Sequence, residues 1–226
     1  RRNFLDRLIF SSRNDYNRLI NKYKKSLQER AKILKVNNPD NDWLNNIEKE
    51  ICLLGLEIYN LRNLQLKILN SELKSLKNDH NFQFTVELNI IDDYFNGDIN
   101  FESYVSNLQK FRKYDHKYGG TKIGPHRSDI VSIINNNFEA SLLSTGQQKT
   151  VVLMILLAQC NYLINNLKIN PIFLFDEIGS HLDKYNRQLL LDLINKFETQ
   201  FFLTGTDKNL FSFVSTNAKF YNITEL

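Results

Sequence analysis

The sequence predicts an α/β protein in which a mainly helical lobe with one or two strands, residues 1–120, is followed by an α/β part, residues 121–226. Only 8 of the 226 residues are glycine and 3 are proline, which disfavours collagen-like and turn-dense all-β folds. Apolar residues in the first part recur mostly every three or four positions, the period of amphipathic helices. In the second part, short apolar runs alternate with helical patterns, which is typical of buried parallel strands.

The first 80 residues have the pattern of a helical hairpin. Apolar spacing predicts one helix over residues 4–34, and an Asn-Asn-Pro-Asp segment at 37–40 ends it. A 4-3-4-3 apolar spacing then predicts a long helix near 43–77 that packs against the first, with Gln65 as an interruption. Gly55 weakens this helix by roughly 1 kcal/mol relative to Ala.

The middle of the chain changes period twice. Residues 81–90 alternate apolar and polar side chains, which predicts a strand. Helical spacing returns over residues 100–118 and stops at Gly119-Gly120. Two apolar runs, 130–134 and 138–140, flank three asparagines and predict a β-hairpin.

The last third alternates helical and strand patterns. The predicted elements are a helix at 146–164, a strand at 172–175, a helix near 184–196, a strand at 201–203, a short helix near 208–214 and a strand near 219–223.

Composition excludes several classes of protein. With 42% hydrophobic and 24% charged residues the chain is too apolar to be disordered. Its longest apolar stretch, Val151–Ala158, is 8 residues, whereas a membrane span needs ~18, so we expect no membrane association and a cytoplasmic location. Cys52 and Cys160 have no paired spacing and are predicted to be buried apolar groups. The histidines have no ligand spacing, so no structural metal is expected.

Positive charge is concentrated at the start of the chain. Residues 1–35 contain eleven Lys or Arg and three acids, a net charge of +8, although the whole chain carries only +4. Such asymmetry indicates a polyanionic partner. The alternative is the solvated face of an amphipathic helix.

Two acids follow the apolar run at 172–175. A strand of an open α/β sheet delivers a carboxylate at its C-terminal end to the ligand-binding edge, so Asp176 is a candidate for holding Mg²⁺ through water. Glu177 beside it is a candidate for orienting an attacking water. A purely structural role for this pair remains an alternative.

A second candidate site precedes the predicted helix at 146–164. The segment Leu143-Ser144-Thr145-Gly146-Gln147-Gln148-Lys149 places small and hydroxyl side chains at a helix start, where free backbone N–H groups attract anions. The helix dipole contributes only about 0.3–2 kcal/mol, so this loop would assist a phosphate site and not create one. Further along the chain is the segment Ser180-His181-Leu182-Asp183. Asp183 either belongs to the same candidate phosphate site or caps the next helix.

These segments together resemble the C-terminal half of an ABC-type ATPase head with a mainly helical inserted lobe. The signature segment corresponds to Leu143–Gln147, the Walker B strand to Ile172–Glu177 and the D-loop to Ser180–Asp183. Further segments narrow the resemblance to the RecF family of bacterial DNA repair ATPases. They are Arg1–Asp6, Gly124–Asp129, Gly146–Lys149 and Phe202–Asp207.

The resemblance assigns expected roles to the site residues. Asp176 would assist Mg²⁺, and Glu177 would polarise the hydrolytic water. Contacts with ATP held by a second subunit, or with the subunit interface, are expected for Ser144, Thr145, Gly146 and Gln147 in the signature and for Ser180 and Asp183 in the D-loop. Thr206 occupies the switch position, where most ABC ATPases have a histidine.

The family also implies a function and partners. These are slow ATP hydrolysis, an ATP-dependent homodimer, and a role in DNA replication, recombinational repair and SOS induction. The expected partners are single-stranded or junction DNA and other recombination-mediator proteins. Arg13, Arg18, Lys22 and Lys25 of the basic segment are then candidates for contacting DNA phosphates.

One departure from the family concerns ATP binding. No glycine of the sequence belongs to a phosphate-cradling G-x-x-x-x-G-K-[ST] loop, which in the family lies upstream of the Arg-Arg-x-Phe-Leu-Asp segment. Since residue 1 is Arg, we expect a fragment without the N-terminal P-loop lobe, which binds ATP poorly by itself.

Two other interpretations remain open at this stage. One is a different ABC ATPase, such as an SMC-like head or a transporter subunit, although the short insertion and the segment 124–129 argue against these. The other is a non-catalytic module that binds DNA or proteins. His126 and Arg127 either form a turn beside the sheet or contact nucleotide or DNA.

Overall fold

The computed structural model describes residues 1–36, 38–79, 84–94, 99–176, 187–188, 191–192, 195, 197, 199–212, 214 and 218–222. The helices in these ranges are α1 (Arg2–Ser12), α2 (Tyr16–Leu34), α3 (Asn41–Asp79), α4 (Phe101–Lys110), α5 (Arg112–Tyr118) and α6 (Thr145–Asn165). The strands are β1 (Val86–Ile91), β2 (Asp129–Ile134), β3 (Phe138–Glu139), β4 (Phe173–Phe175) and β5 (Phe201–Leu203), and 3-10 turns occupy Ala140–Leu142 and Lys208–Phe211.

The predicted first helix is two helices, so the prediction of one continuous helix is wrong. The chain leaves the helical conformation at Arg13 and re-enters it at Tyr16. The hydroxyls of Ser11 and Ser12 both donate to the Leu8 carbonyl, at 2.7 and 3.1 Å. Serine hydroxyls bound to a backbone carbonyl compete with helical hydrogen bonding, and this favours an end to α1.

The predicted hairpin of long helices is confirmed. α2 packs against α3, whose 39 residues extend about 58 Å. α3 also contacts α1, α4, β1 and α6, so it connects all the surrounding layers.

An antiparallel sheet links the two predicted parts of the chain. β1 pairs with β2 from Val86↔Ile134 to Ile91↔Asp129, and β3 continues the sheet beyond β2. The predicted hairpin at the three asparagines is confirmed, and Asn135 and Asn136 adopt the positive φ that asparagine tolerates. The division of the chain at residue 120 stays a prediction.

The predicted parallel pair is also found. β4 and β5 pair in parallel from Phe173↔Phe201 to Phe175↔Leu203, and the rings of Phe173 and Phe201 stack at 4.5 Å. One face of the pair packs on the core, whereas Ile172, Leu174 and Phe202 on the other face are exposed. Among the described residues, the expected burial of these strands is therefore found on one face of the pair only.

Three predictions near the C-terminus have different outcomes. The short helix predicted near 208–214 is a 3-10 turn at Lys208–Phe211. The sequence also predicts a strand near 219–223, but residues 218–222 do not form one. Most of the predicted helix near 184–196 lies outside the described residues.

Two apolar clusters form the core of the part of the chain that the structure describes. One lies among α1, the C-terminal half of α3, the antiparallel sheet and α6, and it includes Cys160. The other lies among α2, the N-terminal half of α3 and α4, and it includes Cys52. Both cysteines are buried and free, as predicted. Among the described helices, none is both long enough and apolar enough to cross a bilayer. The predicted α/β fold class is confirmed.

Candidate functional site

Helix α6 begins with an exposed capping box. The Ser144 hydroxyl accepts a hydrogen bond from the backbone N–H of Gln147 at 3.4 Å, and the Gln147 side-chain carbonyl accepts from the Ser144 N–H at 3.1 Å. This exchange satisfies N–H groups that have no acceptor within the helix. The side chains of Ser144, Thr145 and Gln147 are exposed, and Gly146 is half-buried.

The same helix start can receive an anion. The backbone N–H groups of Thr145 and Gly146 have no acceptor within the helix, and this end of the helix carries partial positive charge. The Gln148 amide donates to the carbonyls of Leu143 (2.9 Å) and Ser141 (3.3 Å), which fixes the preceding loop. The arrangement suits a phosphate group that approaches from solvent.

β4 and β5 bring polar groups to one edge of the parallel pair. Asp176 follows β4 directly and is exposed. Thr204 follows β5, and its hydroxyl donates to Oδ1 of Asp176 while its N–H donates to the Phe175 carbonyl at 2.9 Å. Thr206 is exposed two residues further on. Sequence reasoning missed Thr204, although its place directly after the second apolar run was an available indication.

The described part of the predicted metal site is Asp176. Glu177, Ser180 and Asp183 lie outside the described residues. An exposed carboxylate with one oxygen held by a hydroxyl suits a hydrated Mg²⁺, which binds proteins through one or two carboxylates and retains several waters. In the part of the chain that the structure describes, no three His, Cys, Asp or Glu residues are grouped to hold a metal ion.

Arg62 of α3 joins two segments on which the family resemblance rests. Its guanidinium donates to both carboxylate oxygens of Asp6 in α1 and to two oxygen atoms of the loop 124–129. Arg2 donates to two backbone carbonyls of the same loop. Sequence analysis did not assign Arg62 a role, although it lies four residues after the buried Ile58 on the apolar face of α3.

His126 has the structural role that the sequence left open. Its Nε2 donates to the Thr121 carbonyl at 2.8 Å, and its Nδ1 lies 2.8 Å from the Tyr23 hydroxyl, from which the neutral imidazole accepts. Burial lowers the pKa of His126 to about 4, and neighbouring arginines lower it further. A side chain at Gly124 would collide with the hydroxyls of Tyr23 and Tyr104, and its φ of +121° also requires glycine.

Arg30 is buried and does not contribute to the basic surface of residues 1–35. Its guanidinium is fully buried and donates to Glu48 (2.9 Å), Asp115 (2.7 Å), Thr121 (3.1 Å) and the carbonyl of Leu108 (2.9 Å). A buried cation needs such partners because desolvation is costly. One of the eleven cations counted in residues 1–35 therefore belongs to the core.

Four of the five remaining cations of α2, together with Lys35 directly after the helix, form an exposed face. The buried face of this helix includes Tyr16, Tyr23 and Ile33. The opposite face carries cations at spacings of three, four and seven, which lie side by side on a helix. We call it the basic stripe, and it consists of Arg18, Lys22, Lys25, Lys32 and Lys35.

Two of the four predicted DNA contacts have acidic neighbours. Arg13, just before α2, lies 3.4 Å from Asp15, and Lys22 lies 3.1 Å from Glu50. No ion pair between described residues involves Arg18 or Lys25, and both are exposed.

The fold is that of part of an ABC-type ATPase head, with a helix start that suits a phosphate group and an acidic residue at a strand end. The chain belongs to the RecF/RecN/SMC N-terminal domain family, whose model matches residues 11–225. It is 35% identical over 214 residues to the DNA replication and repair protein RecF of Rickettsia prowazekii (strain Madrid E). It is 33% identical over 214 residues to the RecF protein of Rickettsia akari (strain Hartford). In both cases the match covers 92% of this chain and 58% of the relative.

Solved structures support the same assignment. The chain superimposes on the recombination mediator protein RecF-ATPrS of the RecFOR pathway with a TM-score of 0.77 and 26% identity, over 95% of this chain and 58% of that one. For the RecF-ATP structure of the same pathway the TM-score is 0.77 and the identity 25%, over 92% and 57%. The predicted fold, part of an ABC-type head with a helical inserted lobe, is confirmed.

Proposed function

We propose that this chain is the signature-bearing part of a RecF-type ATPase that acts on DNA in replication and recombinational repair. The observation that carries the proposal is the exposed, capped start of α6, because its free N–H groups can receive a phosphate from outside the chain. As the family resemblance implies, the nucleotide would be bound by the phosphate-cradling loop of a second subunit of the complete protein.

ATP would then join two subunits. The γ-phosphate of ATP bound to the partner subunit would be contacted by the signature residues Ser144, Thr145, Gly146 and Gln147. At the end of β4, Asp176 would hold Mg²⁺ through water, and Glu177, the next residue in the sequence, would orient the attacking water. Mg²⁺ supplies charge neutralisation on the phosphates when it is bound. The finer family roles, such as SOS induction and contacts with other recombination mediators, are part of the same proposal.

The ATP half of the proposal is tested with Glu177→Gln in the complete protein. A positioned base contributes about 10²–10⁴ in rate, so turnover should fall by that factor while ATP binding and ATP-dependent dimerisation persist. Glu102→Gln, at an exposed position of α4, is the matched control and should change neither. Unchanged hydrolysis in Glu177→Gln would overturn the role of Glu177. A complete wild-type protein that shows no ATP hydrolysis would instead favour a non-catalytic binding module.

The DNA half of the proposal concerns the basic stripe. Cations aligned along one helix can follow a DNA backbone without reading bases. Because Arg13 and Lys22 have acidic neighbours, Arg18 and Lys25 should contribute more. Neutralising both, as Arg18→Gln with Lys25→Gln, should weaken DNA binding and reduce the salt slope by about two.

Lys74→Gln is the control for this experiment, since Lys74 is an exposed lysine of α3 outside the stripe. Fluorescence anisotropy at several salt concentrations measures both quantities. An affinity and a salt slope that are the same in the double variant and in wild type would disprove phosphate contact by the stripe.

A further inference from the structure

A second surface, outside the basic stripe, combines exposed aromatic rings with lysines. Helix α5 presents Tyr114 and Tyr118 on one face, and these side chains are 42% and 62% exposed. Lys117 and Lys122 contact the rings. We call this surface the aromatic patch, and it consists of Tyr94, Phe111, Tyr114, Tyr118, Lys117 and Lys122.

The rings and cations of the patch are ordered against one another. The ring centroids of Tyr114 and Tyr118 are 4.6 Å apart and tilted by 41°, and Phe111 meets Tyr114 edge to face at 6.4 Å. The Lys122 ammonium lies 4.1 Å from the Tyr114 centroid and 5.2 Å from that of Phe111, within cation–π range.

Charge on this part of the chain is positive, although Arg112 is paired with Glu48 at 2.6 Å and Asp92 and Asp93 precede Tyr94. Residues 110–122 contain five Lys or Arg and one acid. That acid, Asp115, is buried and hydrogen-bonded to Arg30, so it does not offset the exposed cations. Lys110, Lys113 and Lys117 are exposed. An anionic partner is therefore favoured over a cationic or neutral one.

Exposed aromatic rings among lysines match the chemistry of unpaired nucleotides. A base can stack on a ring whatever its identity, and nearby ammonium groups neutralise the phosphates. A duplex keeps its base faces stacked internally and offers phosphates and groove edges, on which an aromatic ring cannot stack. We propose that the aromatic patch binds single-stranded DNA by stacking unpaired bases on Tyr118 and Tyr114. This proposal rests on the proposed DNA function, but it uses a different surface and a different interaction.

The test compares single-stranded and duplex DNA on the 226-residue chain. Anisotropy of a labelled oligothymidylate and of a labelled duplex is measured for wild type, Tyr118→Ala and Tyr114→Ala. Loss of one stacked base weakens binding roughly 5- to 150-fold. Each alanine variant should lose that much affinity for the single strand, and its duplex affinity and salt slope should remain those of wild type.

Two controls separate stacking from general damage. Tyr118→Phe keeps the ring and should bind within about two-fold of wild type, because stacking needs no hydroxyl. Tyr221→Ala removes a 76% exposed tyrosine outside the patch and should have no effect. Circular dichroism spectra verify that every variant is folded. Tyr118 is the more exposed of the two tested tyrosines, so its substitution disturbs the fold less.

The outcomes distinguish this proposal from that for the basic stripe. Loss of single-strand affinity in the tyrosine variants, with no effect of Arg18→Gln and Lys25→Gln, would support the patch and overturn the stripe. Equal losses for single-stranded and duplex DNA would overturn stacking. The proposal also fails if Tyr118→Ala binds single-stranded DNA as wild type does, or if the chain binds no oligothymidylate. In either case the rings would serve only to hold Lys122.

Discussion

The guanidinium of Arg62 meets the carboxylate of Asp6 through two parallel hydrogen bonds, from Nε and from Nη2, both 2.9 Å long. Its remaining nitrogen donates to the Pro125 carbonyl and to the Ser128 hydroxyl. The Tyr16 hydroxyl donates to the same carboxylate at 2.7 Å. One buried cation thus connects α1, α3 and the loop that precedes β2.

Removing this cation should destabilise the protein strongly. Arg62→Met keeps side-chain length but removes the cation that pairs with the Asp6 carboxylate and the donor to two loop oxygens, at a cost of about 3 kcal/mol in the free energy of unfolding. Lys22→Met breaks the exposed pair with Glu50 and should cost less than about 1 kcal/mol. Urea unfolding of the two variants measures the difference, and similar losses would contradict a dominant role for Arg62.

His126 should make stability depend on pH. Its folded pKa is about 4, below the ordinary 6.5, because burial and the charges of Arg127, Arg2 and Arg62 oppose protonation. The unfolded chain therefore takes up a proton as the pH falls below 6.5, whereas the folded chain does not until about pH 4. The stability gained from neutral His126 is complete above pH 6.5 and is lost progressively below it.

The variant His126→Gln isolates this contribution. Between about pH 7.5 and pH 5 the histidine should account for a fall of about 2 kcal/mol in the unfolding free energy. The glutamine variant is less stable at neutral pH, and it should lack that part of the pH dependence. Urea unfolding at both pH values gives the comparison, and parallel pH profiles for the two proteins would disprove the assignment.

Local patterns predicted the elements whose residues determine their own structure. Helix α6, predicted at 146–164, is found at Thr145–Asn165, because a capping box starts a continuous apolar run. The parallel strands β4 and β5 follow the two short apolar runs closely. The position of Asp176 at an edge of the sheet was also predictable, because the residue directly follows one of these apolar runs and parallel strands end at the same edge.

Features that depend on distant residues were not predictable from local pattern. Gln65 interrupts the apolar spacing of α3, and the structure explains it, since its amide donates to Gln159 of α6 at 2.7 Å. Arginine is typically a surface residue, but Arg30 is buried because it contacts partners that are 18 to 91 positions away in the sequence. The pairing of β1 with β2 likewise joins residues more than 35 positions apart. None of these partners is visible in a window of local sequence.

Gly55 reverses an expectation from helix propensity. Propensity alone predicts that Ala at this position strengthens α3 by about 1 kcal/mol. However, a Cβ at Gly55 would lie 2.7 Å from the ring of the fully buried Tyr104. Gly55→Ala should therefore lower the free energy of unfolding by about 1–3 kcal/mol. Asn60→Ala, at an exposed site of the same helix, should raise it by about 0.5 kcal/mol in the same urea titration.

Ser144 has both a structural and a proposed functional role, and two substitutions separate them. Ser144→Ala removes the cap of α6 and should cost about 1 kcal/mol of stability. Ser144→Asp retains a cap and favours the positive end of the helix, so its stability should be near that of wild type. Thermal or urea unfolding of this chain measures both, with the exposed Ser106→Ala of α4 as control.

In the complete protein the aspartate variant gives the decisive result for the ATP site. Its carboxylate would face the γ-phosphate of ATP on the partner subunit, and two negative charges at that distance repel each other. ATP-dependent dimerisation, measured by sedimentation, should therefore be lost although the fold is intact. A stable Ser144→Asp protein that still dimerises with ATP would show that the start of α6 does not contact the nucleotide. Loss of dimerisation in Ser144→Ala alone would instead be explained by the weakened helix.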